Sequence, residues 1–406
     1  HGGAPMNLLA LDPLLSGDID LTIVLIVLLK AGIAFTFLLI SVMLMVWFER
    51  KLISDMQNRI GPDVAGPWGI LQTLADGIKL FFKEDLIPER ADRFVFKLAP
   101  YLSLVPAFLV FAVVPIGGDF RNDAGGVVTW FGHQTLLQVA DPPVGILFFL
   151  AMSSIAVYGV MLAGWSSGSK YPLLGAVRAS AQMISYEAAL GLAMATVFLM
   201  SGTLSTNGIV ADQATWNWNA VTTGVVPFII FLLAGTAELN RPPFDLVEAE
   251  QELVGGFHTE YSSLRFALFF LAEFMNVITM SAIAVTLFLG GPNGPILIES
   301  VAWLWPPLWF FAKVAVFLFT FVWLRATLPR FRYDQLMDLG WKMLIPAALG
   351  WFLLIAALNI GGDRGWPTWA VVGTGMVVGV LGYLALTGAI RKATLDRAGQ
   401  DFEGVN

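Results

Sequence analysis

The chain has 406 residues, of which 57% are hydrophobic and 13% are charged. Soluble proteins carry about 25% charged residues, so this composition excludes an ordinary soluble domain and indicates a protein of the lipid bilayer. The chain contains no Cys and three His residues, His1, His133 and His258. These counts exclude a disulfide framework, an iron–sulfur cluster and a Cys-rich zinc site in this chain.

Nine apolar stretches are long enough to cross the hydrocarbon core, which takes about 20 residues of helix. They predict an all-α, polytopic transmembrane helix bundle, because a membrane β-barrel has shorter segments of alternating polarity. The predicted spans are residues 21–47, 98–117, 143–164, 179–201, 222–239, 266–289, 302–324, 343–360 and 367–389.

The Lys and Arg residues predict the orientation of these spans. If the segment 48–97 is cytoplasmic, 19 of the 23 basic residues fall in cytoplasmic loops or in the C-terminal tail. Basic residues concentrate on the cytoplasmic side of membrane proteins. We therefore expect the N-terminus outside and, with nine spans, the C-terminus in the cytoplasm. No basic segment precedes the first span, so we expect no signal or transit peptide.

The first inner segment contains a predicted amphipathic helix at residues 66–84. Gly66 and Pro67 suit its start, and apolar residues then recur at helical spacing opposite Asp76 and Lys79. Such a helix lies in the membrane interface. It is either a flat membrane anchor or the wall of an opening through which an amphiphile enters from the lipid.

Five ionisable residues fall within the predicted spans: Lys30, Glu187, Glu238, Glu273 and Lys313. A charge in the bilayer costs at least about 2.5–3.5 kcal/mol, so such groups are paired, neutralised or functional. Lys30 lies in an overlong span, and we expect it to reach the outer interface. Glu187 is either a proton relay or a static hydrogen-bonding group. Glu273 and Lys313 either neutralise one another or belong to a relay.

The inner loop at residues 238–262 is unusually acidic. It holds six carboxylates and one Arg, and apolar residues such as Phe244 and Leu246 alternate with the acids. A charge run is usually a solvated loop. The interleaved apolar residues and the Pro242–Pro243 pair instead favour irregular backbone that lines a polar cavity inside the protein.

Four inner segments resemble the H subunit of proton-pumping NADH:quinone oxidoreductase, respiratory complex I. They are Glu-Arg-Lys through Gly-Pro-Trp-Gly at 49–69, Leu-Gln-Thr-Leu-Ala-Asp-Gly-Ile-Lys at 71–79, the stretch 163–187 ending in Ser-Tyr-Glu, and Arg-Pro-Pro-Phe-Asp at 241–245 with its continuation to Tyr261. The segment Arg-Ala-Thr-Leu-Pro-Arg-Phe-Arg-Tyr-Asp at 325–334 is also similar. The resemblance covers roughly residues 20–360 and rests on long motifs.

The resemblance implies an eight-helix protein that joins the redox arm to the membrane arm, forms part of a quinone tunnel and couples quinone reduction to proton translocation. The implied quinone-binding residues are Arg50, Arg59, Asp76, Lys79, Arg241, Phe244 and Arg325. The implied proton-coupling residues are Arg178, Tyr186, Glu187, Glu238, Asp245, Glu248, Glu250, Glu252, Glu260 and Glu273, to which we add Lys313 as an intramembrane charge. No catalytic redox residue and no metal ligand are expected in this chain.

The same resemblance implies a substrate, partners and a cellular location for the chain. The expected substrate is ubiquinone or menaquinone, and flavin and iron–sulfur clusters are expected in partner subunits rather than bound here. The expected partners are redox-arm and membrane-arm subunits, quinone and membrane lipid, but no nucleic acid. The expected location is the bacterial cell membrane.

The C-terminal part departs from the family pattern. Residues 1–360 form the expected membrane domain of the family, whereas 361–406 add a ninth span and a cytoplasmic tail to which no family role is carried. Two other functions remain open on sequence grounds. One is a secondary ion transporter, although we find no internal repeat of the kind such folds often show; the other is the anchor subunit of a membrane-bound hydrogenase.

Overall fold

The structure, a computed structural model, describes residues 12–15, 20–120, 125–214, 217–246 and 254–403. These ranges are mostly helical and contain one short β-hairpin, which confirms the predicted all-α membrane fold. The helices are α1 (Leu21–Met56), α2 (Gln72–Phe82), α3 (Arg93–Phe111), α4 (Gly145–Ser166), α5 (Lys170–Ser201), α6 (Thr206–Asp212), α7 (Asn219–Thr222), α8 (Val226–Glu238), α9 (Ser263–Phe288), α10 (Trp305–Thr327), α11 (Tyr333–Asp338), α12 (Ile345–Asp363) and α13 (Thr368–Glu403).

Eight helical segments in the described ranges are long and apolar enough to cross a membrane. One of them joins α10 to the 3₁₀ turn Glu299–Leu304, and another joins α11 to α12 through the π-helical turn Leu339–Leu344. These eight segments correspond to eight of the nine predicted spans.

The predicted span 222–239 is a shorter apolar helix. α8 has 13 residues, about 20 Å of helix, which is less than the roughly 30 Å hydrocarbon core. The helix is interrupted because Gly224 and Val225 both have positive φ, 86° and 64°. The indole of Trp351 lies where a Cβ on Gly224 would project, 2.6 Å from that position. Only Gly combines this φ with so close an approach.

The bundle is built by close packing of apolar helices. α4 packs between α3 and α5, and α5 packs in turn against α8. A Cβ on Gly159 of α4 would lie 2.2 Å from Oγ of Ser103 on α3, so the helices need a small residue there. Small residues that let helices approach are typical of membrane bundles, since lipid supplies no hydrophobic drive between helices.

The interfacial helix forms, but it starts later than predicted. Gly66 precedes a 3₁₀ turn, Pro67–Gly69, and the α-helix itself runs from Gln72 to Phe82. None of its residues is buried. Its N-terminal part is tied to α1, because Thr73 Oγ1 donates to the Met43 carbonyl at 3.2 Å. The helix therefore exposes an apolar face that includes Leu74, Ile78 and Phe81.

A β-hairpin between α3 and α4 was not predicted from the sequence. β1 (Val127–Trp130) pairs antiparallel with β2 (His133–Leu136), with Trp130 opposite His133. The two linking residues, Phe131 and Gly132, both have positive φ, as a two-residue hairpin turn requires.

The expectation that Lys30 reaches the outer interface is wrong. Its Nζ lies 2.6 Å from Oδ2 of Asp12 and donates to Oγ1 of Thr135 at 2.9 Å, and the side chain is buried. The segment before α1 and strand β2 cover this part of α1. The ammonium group is therefore neutralised inside the protein.

Candidate functional site

The centre of the candidate site is the side chain of Arg241, in the loop directly after α8. Its Nη1 lies 3.1 Å from Oε2 of Glu49 on α1, and its Nε lies 3.1 Å from Oε1 of Glu273 on α9. The guanidinium of Arg325 on α10 contacts the other oxygen of Glu49. The Phe274 ring lies 4.4 Å from the Arg241 guanidinium carbon. Two carboxylates and two guanidinium groups thus neutralise one another where three helices meet the loop.

The loop is held by the amide of Gln182, a fully buried residue on α5. Its Nε2 donates to the carbonyl of Ala237 at 2.7 Å and to that of Phe244 at 2.9 Å. The backbone N–H of Arg241 also donates to the carbonyl of Thr236 at 3.3 Å. Gln182 therefore fixes the backbone on both sides of Arg241.

A cavity of about 550 Å³ opens beside this ion-pair cluster. Four of the seven residues predicted to bind quinone line it: Arg50, Arg59, Arg241 and Arg325. The full lining is Val46, Glu49, Arg50, Ile53, Arg59, Ile60, Gly61, Pro62, Arg241, Phe270, Glu273, Phe274 and Arg325. The cavity therefore combines an apolar wall with a cluster of charges, as ligand sites commonly do.

Asp76 and Lys79, also predicted to bind quinone, lie on α2 outside the cavity lining. Oδ2 of Asp76 accepts a hydrogen bond from Nη1 of Arg50 at 2.7 Å, and Lys79 Nζ lies 3.8 Å from the other Asp76 oxygen. Asp76 thus orients Arg50, which does line the cavity.

Phe244, the remaining predicted quinone-site residue, lies in the protein core instead of the cavity wall. It is 2% exposed, and its ring centroid lies 5.7 Å from that of Tyr186 and 5.5 Å from that of Phe331. The hydroxyl of Tyr186 donates to the Leu336 carbonyl at 2.8 Å. Both aromatic residues therefore fix the loop and α5 to the segment that precedes α12.

Two adjacent serines of α4 contact two predicted coupling carboxylates. Ser153 donates to Oε1 of Glu238 on α8, and Ser154 donates to Oε1 of Glu187 on α5. Glu238 is buried, and its Oε2 has no hydrogen-bond partner in the described part of the structure. The carboxylates of Glu238 and Glu187 therefore contact neighbouring residues of α4.

Two small cavities border Glu238. One of about 70 Å³ is also lined by Asn276, His258 and Glu273, and another of about 30 Å³ by Asn276 and Ser153. A buried water needs roughly 10–15 Å³ of such space and polar partners, so both cavities accommodate water. Glu273 lines the 70 Å³ cavity and the 550 Å³ cavity alike.

The other predicted coupling residues are more dispersed. Asp245 is buried and lies 3.0 Å from Nη2 of Arg330. The Arg178 guanidinium stacks on the Tyr333 ring at 5.7 Å, and Glu260 is half-buried before α9. Glu248, Glu250 and Glu252 lie outside the described residues.

The suggestion that Lys313 and Glu273 neutralise one another is wrong. Lys313 Nζ donates to the carbonyls of Leu289, Gly291 and Asn293 at 2.7–2.9 Å, whereas Glu273 pairs with Arg241. Leu289 follows Glu273 by 16 residues, about 24 Å of helix. Lys313 thus donates hydrogen bonds to carbonyl groups just beyond the C-terminus of α9. A cation is favourable there because the carbonyl end of a helix carries partial negative charge.

Two important residues were not predicted. Glu49 bridges Arg241 and Arg325, and His258 shares a cavity with Glu238 and Glu273. Glu49 is the first acid after a long apolar run, a signal that could have identified it. His258 gave no signal beyond its place in the acidic loop.

Two titratable side chains in this loop have shifted pKa values. Burial lowers the pKa of His258 to about 4, against the opposing effect of Asp245. Burial raises the pKa of Tyr261 to about 12, and its hydroxyl donates to the Phe96 carbonyl at 3.1 Å. Both groups are therefore neutral at neutral pH. No group of three His, Asp or Glu side chains among the described residues is arranged to hold a metal ion.

Comparison with known proteins shows which family the chain belongs to. Residues 29–356 match the model of the NADH dehydrogenase family. The chain belongs to this family. A curated relative from Frankia casuarinae, named as the H subunit of NADH-quinone oxidoreductase, is 52% identical over 385 residues, 92% of this chain and 82% of the relative. The protein of the same name from Streptomyces avermitilis is 51% identical over 339 residues, 82% of this chain and 73% of that protein. These matches confirm the predicted resemblance.

α13 lies beyond the part of the chain that the NADH dehydrogenase family model matches.

Proposed function

We propose that the chain is a membrane subunit of respiratory complex I that forms part of a quinone-binding tunnel and couples quinone reduction to proton translocation. Its membership of the NADH dehydrogenase family and its relatives named as NADH-quinone oxidoreductase subunits support its place in this complex. The position of Glu273 on both the charged cavity and a small cavity supports the coupling role. That double position is the observation on which the proposal chiefly rests.

The 550 Å³ cavity suits a quinone headgroup. Reduction of a quinone takes two electrons and two protons, and negative charge develops on its oxygens before protonation. The guanidinium groups of Arg241, Arg325 and Arg59 stabilise such charge without reorganisation, because they are already held in place. Flavin and iron–sulfur clusters in partner subunits would supply the electrons, since this chain contains no Cys to ligate a cluster.

The exposed apolar face of α2 supports access from the lipid. Leu74, Ile78 and Phe81 are at least half exposed, and α2 is bonded to α1 through Arg50 and Asp76. A quinone tail can pack on this apolar face while its headgroup moves toward the charged cavity. Of the two interpretations of the amphipathic helix, the wall of an opening therefore fits better.

The carboxylates beyond the cavity suit a proton path. Reduction of a quinone beside Arg241 changes the field at Glu273, and Glu273 borders the same small cavity as Glu238. Glu238 and Glu187 are held by neighbouring hydroxyls of α4. A proton can pass along such groups and the water between them, since each can bind or release it.

The orientation inferred from the basic residues is part of the proposal. The cavity then faces the cytoplasm, where the partner redox subunits would bind, and Lys30 and Lys313 lie toward the outside. The positive-inside rule supports this arrangement.

Replacement of Glu187 by Gln tests the proposal. We expect Glu187→Gln to impair quinone reduction coupled to pumping and to leave NADH oxidation by a hydrophilic artificial acceptor near normal, because that acceptor bypasses the membrane subunit. Measurement of both activities in membrane vesicles, with the complex quantified, decides the result. Equal loss of both activities would indicate failed assembly, and full coupled activity would contradict the proposed path.

A further inference from the structure

The imidazole of His258 lies in the proposed proton path, although no role was predicted for it. It lines the 70 Å³ cavity together with Glu273 on one side of the path and Glu238 on the other. The rest of the lining is mostly apolar, including Phe269 and Ala272, and its other polar residues, Ser103, Asn240 and Asn276, do not titrate near neutral pH. A group that can both accept and donate a proton therefore shares one cavity with both carboxylates.

The ring of His258 is held in place by aromatic packing. It stacks on Phe266 with centroids 5.3 Å apart and an interplanar angle of 17°, and it also contacts the Phe257 ring at 5.1 Å. The backbone is fixed by the 3₁₀ turn Gly256–His258 and by the bond from Tyr261 N–H to the His258 carbonyl at 3.0 Å. The orientation of the imidazole toward the cavity is thus built into the fold.

Burial and a neighbouring carboxylate act in opposite directions on the imidazole. Burial lowers the pKa of His258 to about 4, so the ring is neutral at neutral pH and gives up an added proton readily. The titratable groups that face it are Glu238 on α8 and Glu273 on α9, and Asp245 raises its proton affinity from the loop.

Resting on the proposed function, we propose that His258 is a proton-transfer residue that links Glu273 to Glu238. One ring nitrogen accepts the proton of the Glu273 carboxyl group, directly or through cavity water, and leaves a carboxylate that pairs with Arg241. The other ring nitrogen releases its proton to the Glu238 carboxylate. One proton moves in total, and the imidazole returns to its neutral form as the other tautomer.

The test uses the assembled complex in proteoliposomes and compares His258→Gln with His258→Ala. Gln keeps a hydrogen-bond donor and acceptor of similar reach, but it does not exchange a proton as imidazole does. We expect both variants to lose proton translocation about tenfold or more, with NADH oxidation by an artificial acceptor unchanged. Added imidazole, which fits the space vacated in His258→Ala, should restore part of the translocation in that variant alone.

His133→Gln on the outer hairpin is the matched control, and it should translocate protons at the unaltered rate. Normal translocation by His258→Gln, or failure of imidazole to rescue His258→Ala, would overturn the inference. Loss of assembly in both variants would overturn it too, because a structural role would then suffice. A parallel Glu238→Gln variant separates failure of the proposed carboxylate path from failure of the His258 link. If Glu238→Gln translocates protons normally, the carboxylate path is contradicted. If Glu238→Gln loses translocation but His258→Gln translocates normally, only the His258 link is contradicted.

Discussion

Arg241 and Glu49 form a buried ion pair between residues 192 positions apart in the chain. Nη1 of Arg241 lies 3.3 Å and 3.1 Å from the two carboxylate oxygens, and both side chains are less than 10% exposed. Such a pair is weak evidence for stability, since desolvation offsets much of its attraction. Its position on the wall of the 550 Å³ cavity instead supports a functional role.

Arg241→Ala should raise the apparent Michaelis constant for short-chain quinones, because it removes a cation from the cavity wall. It also leaves two carboxylates without this partner, and breaking a buried pair costs about 3–5 kcal/mol. We therefore expect lower yield as well. Steady-state kinetics normalised to assembled complex measures the effect. Arg265→Ala, which breaks the pair with Asp85 away from the cavity, is the control; an unaltered Michaelis constant for Arg241→Ala would remove Arg241 from the quinone site.

Asp76→Asn should raise the same constant by a smaller factor. Asp76 is half-buried on α2 and its partner Arg50 is exposed, and pairs of this kind at the surface contribute about 0–1 kcal/mol, so assembly should be normal. The comparison is Asp63→Asn, which alters the more exposed contact with Lys51 at 3.9 Å. Identical kinetics for the two variants would contradict a role of Asp76 in orienting Arg50.

Gln182→Leu should raise the Michaelis constant for quinone through a change in the Arg241 loop. It removes the donor from two buried carbonyls, each of which then costs about 1–3 kcal/mol. Gln213→Leu is a matched control, because that buried amide also donates to two carbonyls, those of Ile209 and Thr286, at 3.1 Å each. Both variants should lower the thermal midpoint of the complex, but only Gln182→Leu should alter quinone kinetics. A similar kinetic change in both would mean that general destabilisation is responsible.

Deletion of residues 364–406 should leave an assembled and active complex. α13 packs on α12, and the family match ends at residue 356. Native gel electrophoresis with in-gel NADH dehydrogenase staining measures assembly. A truncated chain that no longer enters the complex would show that the extension has a structural role.

Hydropathy predicted most of the fold, because lipid imposes strong rules on the length and polarity of a spanning helix. It did not predict the interruption at Gly224, which depends on contact with Trp351 from a distant helix. Nor did it predict the pairing of Lys30, since Asp12 and Thr135 come from separate segments.

The sequence predicted several residues of the candidate site, but it did not predict which side chains pair with one another there. Motifs indicated Arg50, Arg59, Arg241 and Arg325, and these residues line one cavity. Glu49 was missed because helical spacing alone does not determine which charge at the end of a span turns inward. Pairing of Lys313 with Glu273 stayed open as one of two interpretations because sequence position does not give the relative heights of two helices.

The most direct test of the quinone-binding claim is a cryo-electron microscopy map of the assembled complex with added quinone. We expect ligand density that runs from the apolar face of α2 into the 550 Å³ cavity, beside Arg241 and Arg325. Quinone density at a different place in this chain, with that cavity occupied by water or side chains alone, would contradict it.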